Sequence, residues 1–226
     1  MAGNNGFNWL NREDRSSEPI DRFPKRPYVG REVNVIYTVY RGIAFEEAIS
    51  VVHKQKYEED ERRNFNNGVA AKAVFGSGIY LVSDLEMASQ YAFCHAEARH
   101  DFAAVLVQQL TYEYPLILDD NYGEGALRTD ALAWKYPDGN YPPFALSEDP
   151  LKIISWTGEV IKAFVLHLGY DGIVYYVHKD LVYFVSYFPE QQIRDVHIDF
   201  VFNIEHLKEA SIYELRKRYK EQNKFS

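Results

Sequence analysis

Residues 74–93, "VFGSGIYLVSDLEMASQYAF", decide the fold. Gly76 and Gly78 bracket a serine just before the β-branched and aromatic run 79–82, a composition that turns tightly and then extends. Ser83 and Glu86 form the S-x-x-E pattern of a capping box, which predicts a helix beginning at Asp84 and running toward His100. The succession of turn, buried strand and helix sets Tyr80 and Tyr91 eleven residues apart. A strand leading directly into a helix can bring those rings to face each other across a gap suited to a flat ring gripped by stacking. Taken singly, each tyrosine is as well explained as core, and a lone G-x-G as a tight turn before a strand.

Outward from this stretch, "VNVIYTVYRG" (33–42) reads as a strand closed by Gly42. Apolar residues at Phe45, Ala48, Ile49 and Val52 have helical spacing, and the helix dissolves into "KYEEDERR". "NFNNGVAAKAVFGSG" is a loop by its Asn and Gly content, and "FAAVLVQQLTYEYPLIL" gives one or two strands. From Asp119 to Pro150 the chain is rich in Gly, Pro, Asp and aromatics, which predicts a long irregular segment acting as a lid or mobile region. "TGEVIKAFVLHLG" is a helix ended by Gly169, "GIVYYVHKDLVYFVSYF" two strands turned at "HKD", and "QQIRDVHIDFVF" one more strand. From Ile204 a polar helix follows, anchored by Leu207 and Leu215. This order gives an α+β domain rather than regular β-α-β alternation. Residues 1–31, interrupted by Pro19, Pro24 and Pro27, read as an arm, 32–203 as the domain and 204–226 as a C-terminal helix.

The 226 residues, 46% hydrophobic and 15% aromatic, suffice for a substantial core. A formal charge of -8 with no basic run argues against a general nucleic-acid binder, so an anionic ligand needs a local cation. One cysteine, Cys94, excludes an internal disulfide framework and fits a reducing compartment. No 18-residue apolar stretch predicts a membrane span, and the first residues show neither a secretory signal nor a myristoylation pattern. The expectation is a soluble protein in a cytoplasm, its own cell's or, if delivered, a host's.

"GIYLVSDLEMASQYAFCH" resembles the signature of the diphtheria-toxin-like and poly(ADP-ribose) polymerase branch of the ADP-ribosyltransferases, in which G-x-G-I-Y is followed eleven residues on by a second tyrosine. The resemblance implies split antiparallel sheets flanked by helices around an NAD cleft, with Tyr80 and Tyr91 enclosing nicotinamide and Gly76 and Gly78 letting backbone approach the dinucleotide. "TVYRG" resembles the end of that family's first core strand, in the Arg-Gly form of its arginine-specific branch. This implies that Gly42 binds the carboxamide through its backbone and Arg41 holds the ribose and diphosphate. A guanidinium suits diphosphate because its fork donates bidentately, although a strand-end arginine is also commonly a surface charge. The implied activity is mono-ADP-ribosyl transfer from NAD, as substrate, to a protein acceptor, in an enzyme of effector or toxin type that needs no metal.

"GYDGIVYYVHKDLVYFVSYFPEQQI" resembles the family's closing segment but departs from it at the catalytic glutamate. Aligned on Pro189, that place falls to Tyr183; aligned on an E-x-E motif, it falls to Gln192. Glu190, displaced by a bend, and Asp180 are the remaining acids. Ala88 stands where the pattern has a serine, with Ser89 adjacent. Two alternatives therefore stay open: an inactive fold that binds NAD, ADP-ribose or a partner protein, and an NAD glycohydrolase. Cys94, His95 and His100 lack a fourth zinc ligand. Asp119 and Asp120 are either a carboxylate pair or the start of a solvated loop. Trp134, Tyr136, Tyr141 and Phe144 are either a recognition surface or a local core.

Overall fold

The computed structural model describes residues 35–57, 73–97, 102–142 and 150–223. The expected arm 1–31, the loop over 64–72, His100 and Phe144 lie outside the described residues. A seven-stranded sheet runs in the order β4-β5-β6-β2-β1-β3-β7. Its strands are β1 (Ile36–Ala44), β2 (Ile79–Val82), β3 (Phe102–Thr111), β4 (Pro115–Leu118), β5 (Gly172–His178), β6 (Leu181–Ser186) and β7 (Ile193–Asn203). Every neighbouring pair is antiparallel except β4 with β5. The class is α+β, and the sheet is nearly split: β1 and β3 pair along nine residues, whereas β1 and β2 meet only at Tyr40 and Val82.

Six helices flank it among the described residues: α1 (Phe45–Lys54), α2 (Leu85–Glu97), α3 (Glu124–Lys135), α4 (Pro150–His167), the single turn α5 (Pro189–Gln192) and α6 (Ile212–Gln222). Strand alternation sorts the core into three clusters. Val39, Ile43, Ile79, Leu81, Leu106 and Phe184 face α1. On the opposite face, Ile173 and Val185 pack with α3 and α4, while Val82, Val105 and Phe200 pack with α2 and α6. No described helix is long and apolar enough to cross a membrane.

Two local readings are corrected, and two open alternatives are decided. The helix after β2 is capped by Asp84, whose Oδ1 accepts from the Met87 N–H at 2.7 Å; Ser83 Oγ instead accepts from the Val182 N–H at 2.9 Å, tying the turn to β6. The segment from Asp119 to Pro150 contains α3, because Leu127, Ala131 and Leu132 supply a buried stripe behind a polar N-terminus. Trp134, Tyr136 and Tyr141 belong to that local core: Trp134 packs on Phe164, and Tyr136, Tyr141 and Trp156 form a mutual ring cluster. Asp119 closes a loop, its Oδ1 accepting from the Asn121 and Tyr122 N–H groups, which leaves the solvated-loop reading of the Asp119–Asp120 pair.

Candidate functional site at the sheet split

Antiparallel register continued past Tyr40–Val82 would set Gly42 opposite Tyr80, a pairing the strands do not make. The split therefore opens where "RG" and "IY" approach each other. Tyr80 and Val82 lie on the same face of β2, away from Ile79 and Leu81. Tyr80 packs against the α3/α4 cluster and Tyr91 against the α2/α6 cluster, so the two rings border the seam between those clusters.

Neither hydroxyl is idle. Tyr80 Oη donates to the Gly76 carbonyl at 2.7 Å and accepts from the Phe75 N–H at 3.1 Å. Burial pushes its phenol well above the ordinary value, and the Glu159 and Glu124 carboxylates push the same way. Tyr91 Oη lies 3.3 Å from Tyr183 Oη; burial, and then that bond, raise the Tyr91 phenol too. Both rings are thus neutral donors, fit for stacking and hydrogen bonding but not for base chemistry at neutral pH.

Arg41 is not brought to the tyrosines. It follows Tyr40, which packs toward α2, and shares its face with Val39 and Ile43, so its side chain enters the α1 side, where the guanidinium carbon lies 4.7 Å from the Tyr57 ring centroid. The resemblance implies one NAD held by Arg41, Tyr80 and Tyr91; alternation puts the guanidinium across the sheet from the two rings, so a ligand reaching all three must pass through the split.

At each of these glycines the protein's own backbone approaches closely. A Cβ on Gly42 would fall 1.8 Å from the Ala88 carbonyl oxygen, so α2 rides directly on β1. Gly76 has φ 83°, and a Cβ there would meet the Gly158 carbonyl at 2.6 Å; one on Gly78 would meet the Ser186 carbonyl at 2.9 Å.

The acids expected from the sequence both lie at the surface. Glu190 is exposed on α5 and Asp180 is exposed in the β5–β6 turn. Gln192 is a structural clasp: its Oε1 accepts from Ser186 Oγ at 2.6 Å and its Nε2 donates to the Asp171 carbonyl at 2.9 Å. Tyr183, which one alignment sets at the expected glutamate's place, is registered opposite Val82. Ser89 Oγ donates back to the Leu85 carbonyl at 2.7 Å, inside its own helix. Among the described residues no group of three His, Cys, Asp or Glu could hold a metal ion.

Sequence reasoning missed α4's part in the site. Glu159 Oε1 accepts from the Ser77 N–H at 2.6 Å, and Lys162 Nζ donates to the Ser77 carbonyl at 2.7 Å and to its Oγ at 2.8 Å. Gly158 makes that docking possible, since a Cβ there would lie 2.1 Å from the Ala73 carbonyl. A glycine inside an otherwise apolar helix was the available signal, because it costs about 1 kcal/mol unless close packing requires it.

No family model matches the chain, and no curated protein does. Among solved structures, the chain is similar to one in the crystal structure of the M. tuberculosis MbcT–MbcA toxin-antitoxin complex, at 11% identity and a TM-score of 0.42, with 82% of this chain and 91% of that one covered.

Proposed function

We propose that the chain is an NAD-consuming enzyme of the ADP-ribosyltransferase type that breaks the nicotinamide–ribosyl bond and passes ADP-ribose to a protein side chain, as an effector or toxin does. The observation that carries this reading is the split beyond Tyr40–Val82, with the Gly42 end of β1, Tyr80 and Tyr91 on one side of the sheet. Nicotinamide would enter the seam between the two rings, with its carboxamide on the Gly42 backbone. The dinucleotide's diphosphate would cross the split to Arg41.

The pyridinium is already cationic, so it departs with the bonding pair as neutral nicotinamide and needs no general acid. The residues must then tolerate an oxocarbenium-like ribose, which an acceptor attacks while losing its proton. Glu190 keeps a place in the reading as an acid that orients ribose or acceptor, and Asp180 as its substitute. The Tyr91–Tyr183 contact favours a second reading, in which the fold binds NAD or ADP-ribose without turnover, because a phenol pair stands where a carboxylate would hold the ribose.

Incubation of the purified chain with labelled NAD and a cell lysate separates these. Labelled protein supports transfer, free ADP-ribose with nicotinamide supports glycohydrolysis, and intact NAD with measurable binding supports the inactive fold. Intact NAD with no binding overturns all three.

A further inference from the structure

On the α1 side of the sheet two buried donors stand without an acceptor among the described residues. Arg41 is 9% exposed and its Nη1 has no hydrogen-bond partner among the described residues; the same holds for Nε2 of Gln108, which is 1% exposed. In the β1–β3 register Val39 faces Gln108 and Arg41 faces Leu106, so the two polar side chains occupy diagonal positions on one face. Tyr57 joins them. Its ring lies 4.7 Å from the guanidinium carbon, and its hydroxyl donates to Gln108 Oε1 at 2.7 Å. That bond occupies the amide oxygen and leaves the amide NH2 to be satisfied. The surroundings are otherwise apolar, with Val39, Ile43, Leu106 and Leu110 in the same cluster. An unmet buried donor costs about 1–3 kcal/mol, and more when it is charged, so two on neighbouring strands call for an explanation.

Both groups are donors and one carries a fixed positive charge, so the species that completes them is an anionic acceptor. We propose that Arg41, Gln108 and Tyr57 form a binding site for a phosphate-class oxyanion. A carboxylate takes arginine through two coplanar nitrogens of its fork. Here the partnerless donors come from different side chains on different strands, which suits a tetrahedral group presenting oxygens in several directions. Tyr57 acts as the organiser, stacking the guanidinium and fixing the amide's orientation. The site deepens the proposed function where it names Gln108 and Tyr57 as further contacts for the diphosphate of NAD; free phosphate is the other source of the same chemistry, and binding does not depend on turnover.

The test titrates the full chain with inorganic phosphate and, separately, with ADP-ribose, at constant ionic strength with chloride as control, using thermal unfolding and calorimetry. Phosphate should raise the melting temperature where chloride does not. Its affinity should fall about tenfold in Gln108→Leu and in Arg41→Lys, the loss of one charge-assisted or buried hydrogen bond, and less in Tyr57→Phe. Without phosphate, the double variant Gln108→Leu/Tyr57→Phe, which removes the amide together with the hydroxyl that bonds it, should melt no lower than wild type, so its lost response is not misfolding. ADP-ribose that displaces phosphate assigns the site to the dinucleotide, and ADP-ribose bound alongside phosphate assigns it to the free ion; both support the site. No response to either ligand, or an equal response in Gln108→Leu, overturns it. Nicotinamide release measured in parallel separates the two proposals: Gln108-dependent binding with NAD left intact keeps the site and removes the enzyme, and NAD turnover in a protein whose phosphate and ADP-ribose responses are unchanged by Gln108→Leu does the reverse.

Discussion

Tyr91 and Tyr183 meet hydroxyl to hydroxyl at 3.3 Å, across the gap between helix α2 and strand β6. Tyr183 is registered against Val82, on the face of β2 that carries Tyr80, so a carboxylate in its place would point at the seam rather than into the α1 core. If the seam holds NAD, Tyr183→Glu should speed nicotinamide release about tenfold or more, by stabilising positive charge on the ribose. Tyr183→Phe should leave the rate within about twofold of wild type, since only the phenol contact is lost. A rate unchanged by the glutamate would place the ribose somewhere else.

Tyr91 is half-buried against the α2/α6 cluster, and its ring is held more by packing than by its one hydroxyl contact. Tyr91→Ala should weaken nicotinamide-mimicking inhibitors by about tenfold, the value of one stacked ring, while ADP-ribose binds nearly as before. Calorimetry with both ligands checks this, and equal loss for the two would mean the ring supports the fold and not the ligand.

Gly42 separates β1 from the α2 backbone so closely that no side chain fits, with the Ala88 oxygen and the Ala92 nitrogen 1.8 and 2.4 Å from an added Cβ. Backbone cannot yield as a flexible side chain can. Gly42→Ala should therefore cost about 3 kcal/mol or more in denaturant unfolding, at the upper end of overpacking effects. A stable Gly42→Ala protein would show that α2 is free to lift from the sheet.

Glu159 and Lys162 grip Ser77 from α4 and fix the turn that holds the Tyr80 hydroxyl. Glu159→Gln keeps the shape and removes the charge. Because Glu159 is exposed, global stability should fall by less than about 1 kcal/mol. KM for NAD should rise several-fold while the unfolding midpoint hardly moves. A shift in midpoint without a shift in KM would make the grip purely structural.

How much of this was legible depended on whether a residue's neighbours in sequence decide its surroundings. The run 79–82, the two strands around "HKD" and the helix stop at Gly169 follow from composition and turn chemistry, and they appear where those rules put them. The α+β class followed from their order. Arg41 shows the other case. Alternation along β1 already separates it from its neighbour Gly42, but the Tyr57 ring beside it and Gln108 diagonal to it come from the chain after α1 and from β3, brought in by register. Ser83 looked like a helix cap because Glu86 stands three residues on, yet a β6 backbone N–H outcompeted that local bond. Helix α3 was hidden by the Gly, Asp and aromatic content around it, and only burial of Leu127, Ala131 and Leu132 on α4 makes it pay.

Asp199 fastens the C-terminal helix to the edge strand β7. Its side chain is 6% exposed; Oδ2 accepts from Arg216 Nε at 2.5 Å, and Oδ1 accepts from Arg216 Nη2 at 2.9 Å and Lys220 Nζ at 2.8 Å. Burial alone would raise this carboxyl, but the bonds and charges of Arg216 and Lys220 outweigh it and hold it below the usual carboxylate value of 3.8. A carboxyl more acidic in the folded than in the unfolded chain binds fewer protons when folded. It therefore contributes stability above the unfolded value, and that contribution drains away as pH falls through the lowered folded one. Unfolding free energy should thus drop below about pH 4 in wild type. Asp199→Asn should cost about 2 kcal/mol at pH 7 and flatten that acid limb, because the neutral amide has no proton to gain. Denaturant titrations of both proteins from pH 7 downward measure it. Parallel acid limbs would mean that other carboxylates, and not the one under α6, set the acid sensitivity of the fold.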